Sequence, residues 1–207
     1  KLGVKITLGK EVTPALIEEI KPDVVILATG GIPTVPEVPG INGRNVVNAP
    51  DLHRKLKTYL RFFSPSVLRW LTKFWMPLGR RVVVMGGGIQ GCELAEFLVK
   101  RGRGVVIVDT AEALGNEMVY ETKTRLVSWL AIKGVPMWTG VKYEEITDKG
   151  LTIITKEGER QTIEADTIVP VMRLEPNTEF PKIFEGKVVP EIHLIGDGRE
   201  PHLILEA

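Results

Sequence analysis

Hydrophobic positions in this chain fall in short dense runs rather than in long stripes. Val82 to Met85 and Val105 to Val108 are unbroken apolar runs, as strands buried on both faces require. Between them come Gly86, Gly88 and Gly91, then the helix formers from Glu93 to Lys100. That order predicts strand, tight turn, helix and second strand, with Asp109 closing the second strand. Asp23 to Ala28 and Asp166 to Met172 have the same buried-strand character. Val4 to Leu8 alternates like a short strand, and Pro14 to Ile20 reads as a helix. Pro33, Pro36 and Pro39 stiffen an extended connection that Gly40 and Gly43 turn. Glu112 to Lys133 predicts one or more helices, with Leu126, Trp129 and Leu130 at helical spacing. A meander of four short strands follows, over Val135–Thr139, Tyr143–Thr147, Leu151–Thr155 and Arg160–Ala165. Ile192 to Ile195 is a last strand that runs into Gly196-Asp197-Gly198.

The glycine turn carries the chemistry. Gly86, Gly88 and Gly91 stand at G-x-G-x-x-G spacing between a strand and a helix, the context that turns a weak motif into a dinucleotide-binding signature. Gly86 permits the tight turn, Gly88 allows the backbone to approach a pyrophosphate, and Gly91 lets helix and strand pack closely. Gly87, Ile89 and Gln90 complete the turn, and the helix N-terminus offers unpaired N–H groups to the phosphates. Asp109 can accept hydrogen bonds from the adenosine ribose hydroxyls, beside Thr110. A carboxylate there repels a 2′-phosphate, so NADH is favoured over NADPH; Arg101 and Arg103 ahead of the strand keep NADPH in view.

Composition narrows the field. The 207 residues have a net charge of +1, 43% hydrophobic and 26% charged residues, the profile of a globular domain with no strong pull toward polyanions. A single cysteine, Cys92, excludes an internal disulfide or a CxxC redox pair and fits a reducing, cytoplasmic setting. Cys92 reads as a small packed residue. His53, His193 and His202 share no metal-ligand spacing, so no metal site is expected, and no nucleophile–base pair marks a catalytic residue. No apolar stretch reaches bilayer length. Residues 51–79 form a basic, aromatic insert: Leu52, Leu56, Tyr59, Leu60 and Phe63 fit one helical face, and Ser64-Pro65 can begin a second helix. Docking on another domain or subunit is its favoured role; a membrane-surface helix is a weaker reading, and nucleic-acid binding is not expected.

Four motifs taken in order resemble one family. They are Asp23 to Gly31 with Pro33 and Pro39-Gly40-Ile41; Gly86 to Glu93; Ala165-Asp166 through Pro176-Asn177; and Ile195-Gly196-Asp197. Together they are similar to the C-terminal FAD/NAD-binding region of the 2,4-dienoyl-CoA reductase, 2-enoate reductase and trimethylamine dehydrogenase group. The resemblance implies an α/β fold, a Rossmann-like NAD(P)-binding domain inserted in a partial FAD-binding domain. Residues 1–46 and 187–207 would be the two flavin-type pieces and 47–186 the NAD domain. Thr29, Gly30 and Gly31 would lie at the crossing between domains, and Asp197, with Gly196, would meet the FAD ribityl chain. Glu93 matches a glutamate near nicotinamide and flavin in related disulfide reductases; a first-turn acid facing the helix dipole is the equal alternative. Ile89 stands where those reductases often carry an aromatic gate, and Met172 where the group usually has glycine.

The resemblance further implies an electron-input module: NADH passes hydride to FAD, and electrons move on to an enoyl-CoA or enoate-type substrate. FMN and an iron–sulfur cluster are implied only for a barrel domain outside this chain. The FAD pyrophosphate motif would lie upstream of Lys1, so this stretch alone is expected to hold FAD poorly and to be inactive by itself. A non-catalytic NAD-binding regulatory or assembly domain, and a ferredoxin or quinone reductase of the same fold, are the alternatives.

Overall fold

The computed structural model describes residues 3–48, 76, 78–171, 173–184 and 191–201. In chain order the elements are α1 (Pro14–Ile20), β1 (Val24–Leu27), β2 (Ile32–Pro33), β3 (Arg81–Met85), α2 (Ile89–Val99), β4 (Gly104–Val108) and α3 (Tyr120–Ile132). They continue with β5 (Met137–Trp138), β6 (Lys142–Thr147), β7 (Gly150–Ile154), β8 (Arg160–Glu164), β9 (Thr167–Pro170), β10 (Leu174–Glu175), α4 (Glu179–Lys182) and β11 (Glu191–Leu194). The α/β class and the Rossmann-type arrangement expected from the sequence are both present. Nearly all of the basic insert, including every residue assigned to its two helices, and Met172 lie outside the described residues. No helix among the described residues is long and apolar enough to cross a membrane.

Two compact units divide the chain: Lys1–Pro33 with Leu174–Ala207, and Thr34–Arg173. The proline-rich connection packs into the second unit. Val38 is buried there, Ile146 N–H donates to the Pro39 carbonyl at 2.8 Å, and Val47 N–H donates to Ile168 at 2.9 Å.

The second unit is built on a parallel sheet in the order β5-β4-β3-β9. Alternation along its central strands feeds two cores at once. Val82 and Val84 of β3, with Val105 and Ile107 of β4, pack on Cys92, Ala95 and Leu98 of α2 and on Leu126 and Leu130 of α3. Val83, Met85 and Val108 face Leu151, Ile153 and Ile163 of the antiparallel β6-β7-β8 sheet. A run apolar at every position is therefore what a strand between two layers needs. Asp166 pins the sheet's lower end: its carboxylate accepts the Arg80 and Arg81 N–H groups at 3.0 and 2.9 Å and pairs with the Arg81 guanidinium. That guanidinium, with the two N–H groups, holds the Asp166 carboxyl below the usual range.

In the first unit β1 and β11 pair in parallel, Leu27 opposite Leu194, while β2 and β10 form a short antiparallel ladder. Thr13 caps α1, accepting the Leu16 N–H at 3.3 Å, with Pro14 as the first helical residue.

Three expectations require correction. Residues 4–8 form no strand; Val4, Ile6 and Leu8 are 74%, 77% and 89% exposed, because alternation alone makes no ladder without a partner strand. Val24 and Ile26 of β1 are exposed, so that strand is buried at Leu27 only. Of the four meander segments, the first supplies β5, which pairs with β4 in the parallel sheet; only three form the antiparallel layer. The expectation of one or more helices over Glu112 to Lys133 is met by α3 alone, since 110–119 folds as a loop over the glycine turn.

Candidate functional site

The glycine turn sits at the C-terminal end of β3, where an open parallel sheet places its ligands. Gly86 has φ of 106°, a conformation that β-carbon-bearing residues rarely adopt. A Cβ on Gly91 would overlap the Gly86 carbonyl oxygen and stand 3.0 Å from its carbon, so α2 lies as close to the turn as backbone allows. Ile89 opens α2 after Gly88, and Cys92 N–H to the Gly88 carbonyl at 3.0 Å is the first helical bond. The helix therefore begins with donors that lack helical acceptors. Gln90 and Glu93 are exposed, and Glu93 lies beyond the first turn, so the dipole reading of that acid is not supported.

Asp109 closes the same corner. Its Oδ2 accepts the Gly87 N–H at 2.5 Å and its Oδ1 accepts the Ala111 N–H at 2.8 Å. The carboxylate thus braces the glycine turn against the end of β4. Each carboxylate oxygen still has a lone pair for a further donor. Thr110 beside it is exposed. Arg101 and Arg103 precede the opposite end of β4, and five strand residues separate that end from Asp109 by about 17 Å. Arg101 is occupied there, donating to the Phe97 carbonyl at 3.0 Å and lying over its ring.

Four residues that the sequence did not single out complete the corner. Tyr143 of β6 donates its hydroxyl to the Val108 carbonyl at 3.0 Å; burial first, then the Asp109 charge, pushes this phenol above its usual range. Leu114 packs over Gly87. Glu117 accepts the Ile89 N–H at 2.9 Å and pairs with Arg173 at 2.8 Å. None of these has a local signature: Leu114 and Glu117 reach the turn from the 110–119 loop, Tyr143 from β6 and Arg173 from the segment after β9.

Cys92 is fully buried, its thiol directed at the Gly87 carbonyl at 3.4 Å. Burial, followed by the charges of Glu117, Asp109 and Glu93, pushes the thiol from 9.0 up to about 12. It is thus a packed thiol, as the sequence suggests, and unreactive as a nucleophile. In the folded protein near neutral pH it is expected to resist alkylation, which mass spectrometry before and after denaturation would read. The native state keeps this proton while the unfolded chain loses it. The contribution to stability is therefore whole below pH 9.0 and is lost as pH rises toward about 12. Its slope is at most about 1.4 kcal/mol per pH unit, and Cys92→Ala should remove that part of the alkaline loss in denaturant melts.

The first unit brings a second set together. The segment Thr29-Gly30-Gly31 follows β1 and Gly196-Asp197 follows β11, so both leave the C-terminal ends of adjacent parallel strands. Gly31 is fitted closely: a Cβ there would lie 2.9 Å from the Glu175 carbonyl and 3.0 Å from that of Asp197. Gly30 and Gly196 have φ of 77° and 62°. Asp197 is half-buried in a single 3-10 turn.

Residues 3–190 match the pyridine nucleotide-disulphide oxidoreductase family, and the chain belongs to it. NADH oxidase of Thermoanaerobacter brockii is 28% identical over 208 residues, covering 100% of this chain and 30% of that protein. Cinnamate reductase of Clostridium sporogenes is 26% identical over 211 residues, covering 100% of the chain and 28% of the relative. Among solved structures, 2-naphthoyl-CoA reductase in complex with 2-naphthoyl-CoA superposes with a TM-score of 0.78 at 27% identity, over 98% of this chain and 28% of that one. The resemblance to the 2-enoate reductase group holds. The chain spans about a third of the length of its curated relatives.

Proposed function

We propose that this chain is the NADH-binding, electron-input region of a flavin-dependent oxidoreductase. The observation that carries the reading is the corner built by Gly86, Gly91 and Asp109, in which a bare backbone turn, a helix start and a braced carboxylate converge. These residues fit a dinucleotide: Gly86 to Gly91 would hold its pyrophosphate and Asp109, with Thr110, its adenosine ribose. When bound, the nicotinamide supplies a hydride. Asp109 favours NADH because no cation among the described residues pairs with it: Arg101 and Arg103 lie at the far end of β4, and Lys156 is paired with Glu112.

On the same reading, the NAD domain expected over 47–186 corresponds to the Thr34–Arg173 unit, and the flavin-type pieces expected over 1–46 and 187–207 correspond to the unit of Lys1–Pro33 with Leu174–Ala207. Thr29 to Gly31 with Gly196 and Asp197 fit an FAD site, since two loops at the ends of neighbouring parallel strands allow backbone approach and add one carboxylate. The exposed apolar side chains of Val4, Ile6, Leu8 and Ile26 suit coverage by the rest of a longer protein. Relatives named for cinnamate and 2-naphthoyl-CoA support an unsaturated acid or acyl-CoA as the final acceptor. On the family resemblance alone, that acceptor would be reduced in a barrel domain carrying FMN and an iron–sulfur cluster.

Calorimetric titration with NADH and NADPH tests the reading. Saturable binding of one NADH per chain, with weaker NADPH, is the expected result; absence of any NADH heat would sink it.

A further inference from the structure

Glu117 holds a position that a nucleotide would need. Its Oε1 accepts the Ile89 N–H at 2.9 Å, the first donor of α2, and a Cβ on Gly88 would overlap the same oxygen. Its Oε2 takes the Arg173 guanidinium at 2.8 Å. The Glu117 side chain is 27% exposed and that of Arg173 is 67% exposed. Both belong to the Thr34–Arg173 unit.

The segment around Glu117 is docked, not loose. Leu114 is buried against Gly87, Gly115 turns with φ of 61°, and the Gly115 N–H donates to the Gly87 carbonyl at 2.8 Å. Met118 is buried on the other side, with its N–H on the Gly115 carbonyl at 3.0 Å. Arg173 is fixed from behind by Thr34, whose hydroxyl donates to the Arg173 carbonyl at 2.8 Å. A carboxylate and a guanidinium are thus presented together at the start of the glycine-turn helix.

A carboxylate and a phosphate are both oxyanions, and they compete for the same helix N-terminal donors. Two such anions cannot share the Ile89 N–H without strong repulsion. Resting on the nucleotide-binding reading above, we propose that Glu117 sets the affinity of the site. Its carboxylate stands in for the pyrophosphate in the free protein, and binding exchanges one for the other. Glu117 leaves the helix start, and Arg173 passes from the carboxylate to the pyrophosphate. Ligand binding is then weakened by the fraction of molecules in which the seat is closed.

The test is calorimetry on the full chain with NADH and, separately, inorganic pyrophosphate, each variant first checked by thermal melt. Glu117→Gln keeps an acceptor for the Ile89 N–H but removes the charge, and should bind both ligands about tenfold more tightly. Glu117→Ala should also tighten binding, and Arg173→Met should weaken it. Unchanged or weaker NADH binding in both folded Glu117 variants overturns the proposal while leaving nucleotide binding intact. If the unaltered chain takes no NADH, the nucleotide reading falls and this inference falls with it.

Discussion

Gly91→Val is expected to abolish measurable NADH binding and to lower stability by about 3 kcal/mol, the upper range for overpacking a close-packed site. The first atom of any side chain at Gly91 would overlap the Gly86 carbonyl oxygen, and Val84 lies 3.5 Å away on the other side. The obstacle is backbone, so no rotamer change relieves it. Relief requires α2 to slide off β3, which opens the core where Val84 meets Cys92 and Ala95. The same slide moves the Ile89 N–H away from the end of β3, so binding and stability fail together. Gly91→Ala should show both effects in smaller measure. Gly104→Ala is the matched control, because its Cβ meets only the Arg80 carbonyl at 3.7 Å, an ordinary contact. Calorimetry and a melt on the same samples separate the losses: a Gly91→Val protein that binds NADH like the parent would remove the turn from the site.

This corner was legible because its determinants are local. Two apolar runs, three glycines and an acidic residue lie within 28 consecutive positions, and each constrains its neighbours directly. α1 was legible for the same reason, with Pro14 and the Thr13 cap at its start. What escaped depends on partners distant in sequence. Val4 to Leu8 alternates as well as β6 does, but β6 finds β7 and the N-terminal segment finds no ladder. Met137 and Trp138 join the parallel sheet because β4 offers an edge there, a choice that alternation cannot reveal. Glu117 and Arg173 are 56 positions apart and meet only because the 110–119 loop folds back over Gly87 while the exit of β9 passes the end of β3. The glycine motif is therefore readable from local sequence, whereas the Glu117 carboxylate on the Ile89 N–H is visible only in the tertiary fold.

Asp109→Ala is expected to narrow the ratio of NADH to NADPH affinity by about tenfold or more while costing about 1–3 kcal/mol of stability. The stability loss follows from the two N–H groups of Gly87 and Ala111, each of which would be left without its acceptor. The selectivity change has a separate origin. A carboxylate and a phosphate charge about 4 Å apart repel by roughly 4 kcal/mol at an effective dielectric near 20, and even a heavily screened remainder discriminates. Removing the charge relieves NADPH, whereas NADH loses an acceptor for its ribose hydroxyls, so the two affinities move toward each other. NADPH should not become strongly preferred, because Lys156 remains paired with Glu112 and Arg101 with the Phe97 carbonyl and ring. Asp109→Asn separates the two effects. It retains one side-chain oxygen to accept from the turn, so stability should recover in part while the ratio stays narrowed. Parallel titrations of the three proteins with both nucleotides read the outcome. An unchanged ratio in Asp109→Asn would mean that the carboxylate only braces the glycine turn and that selectivity is set elsewhere.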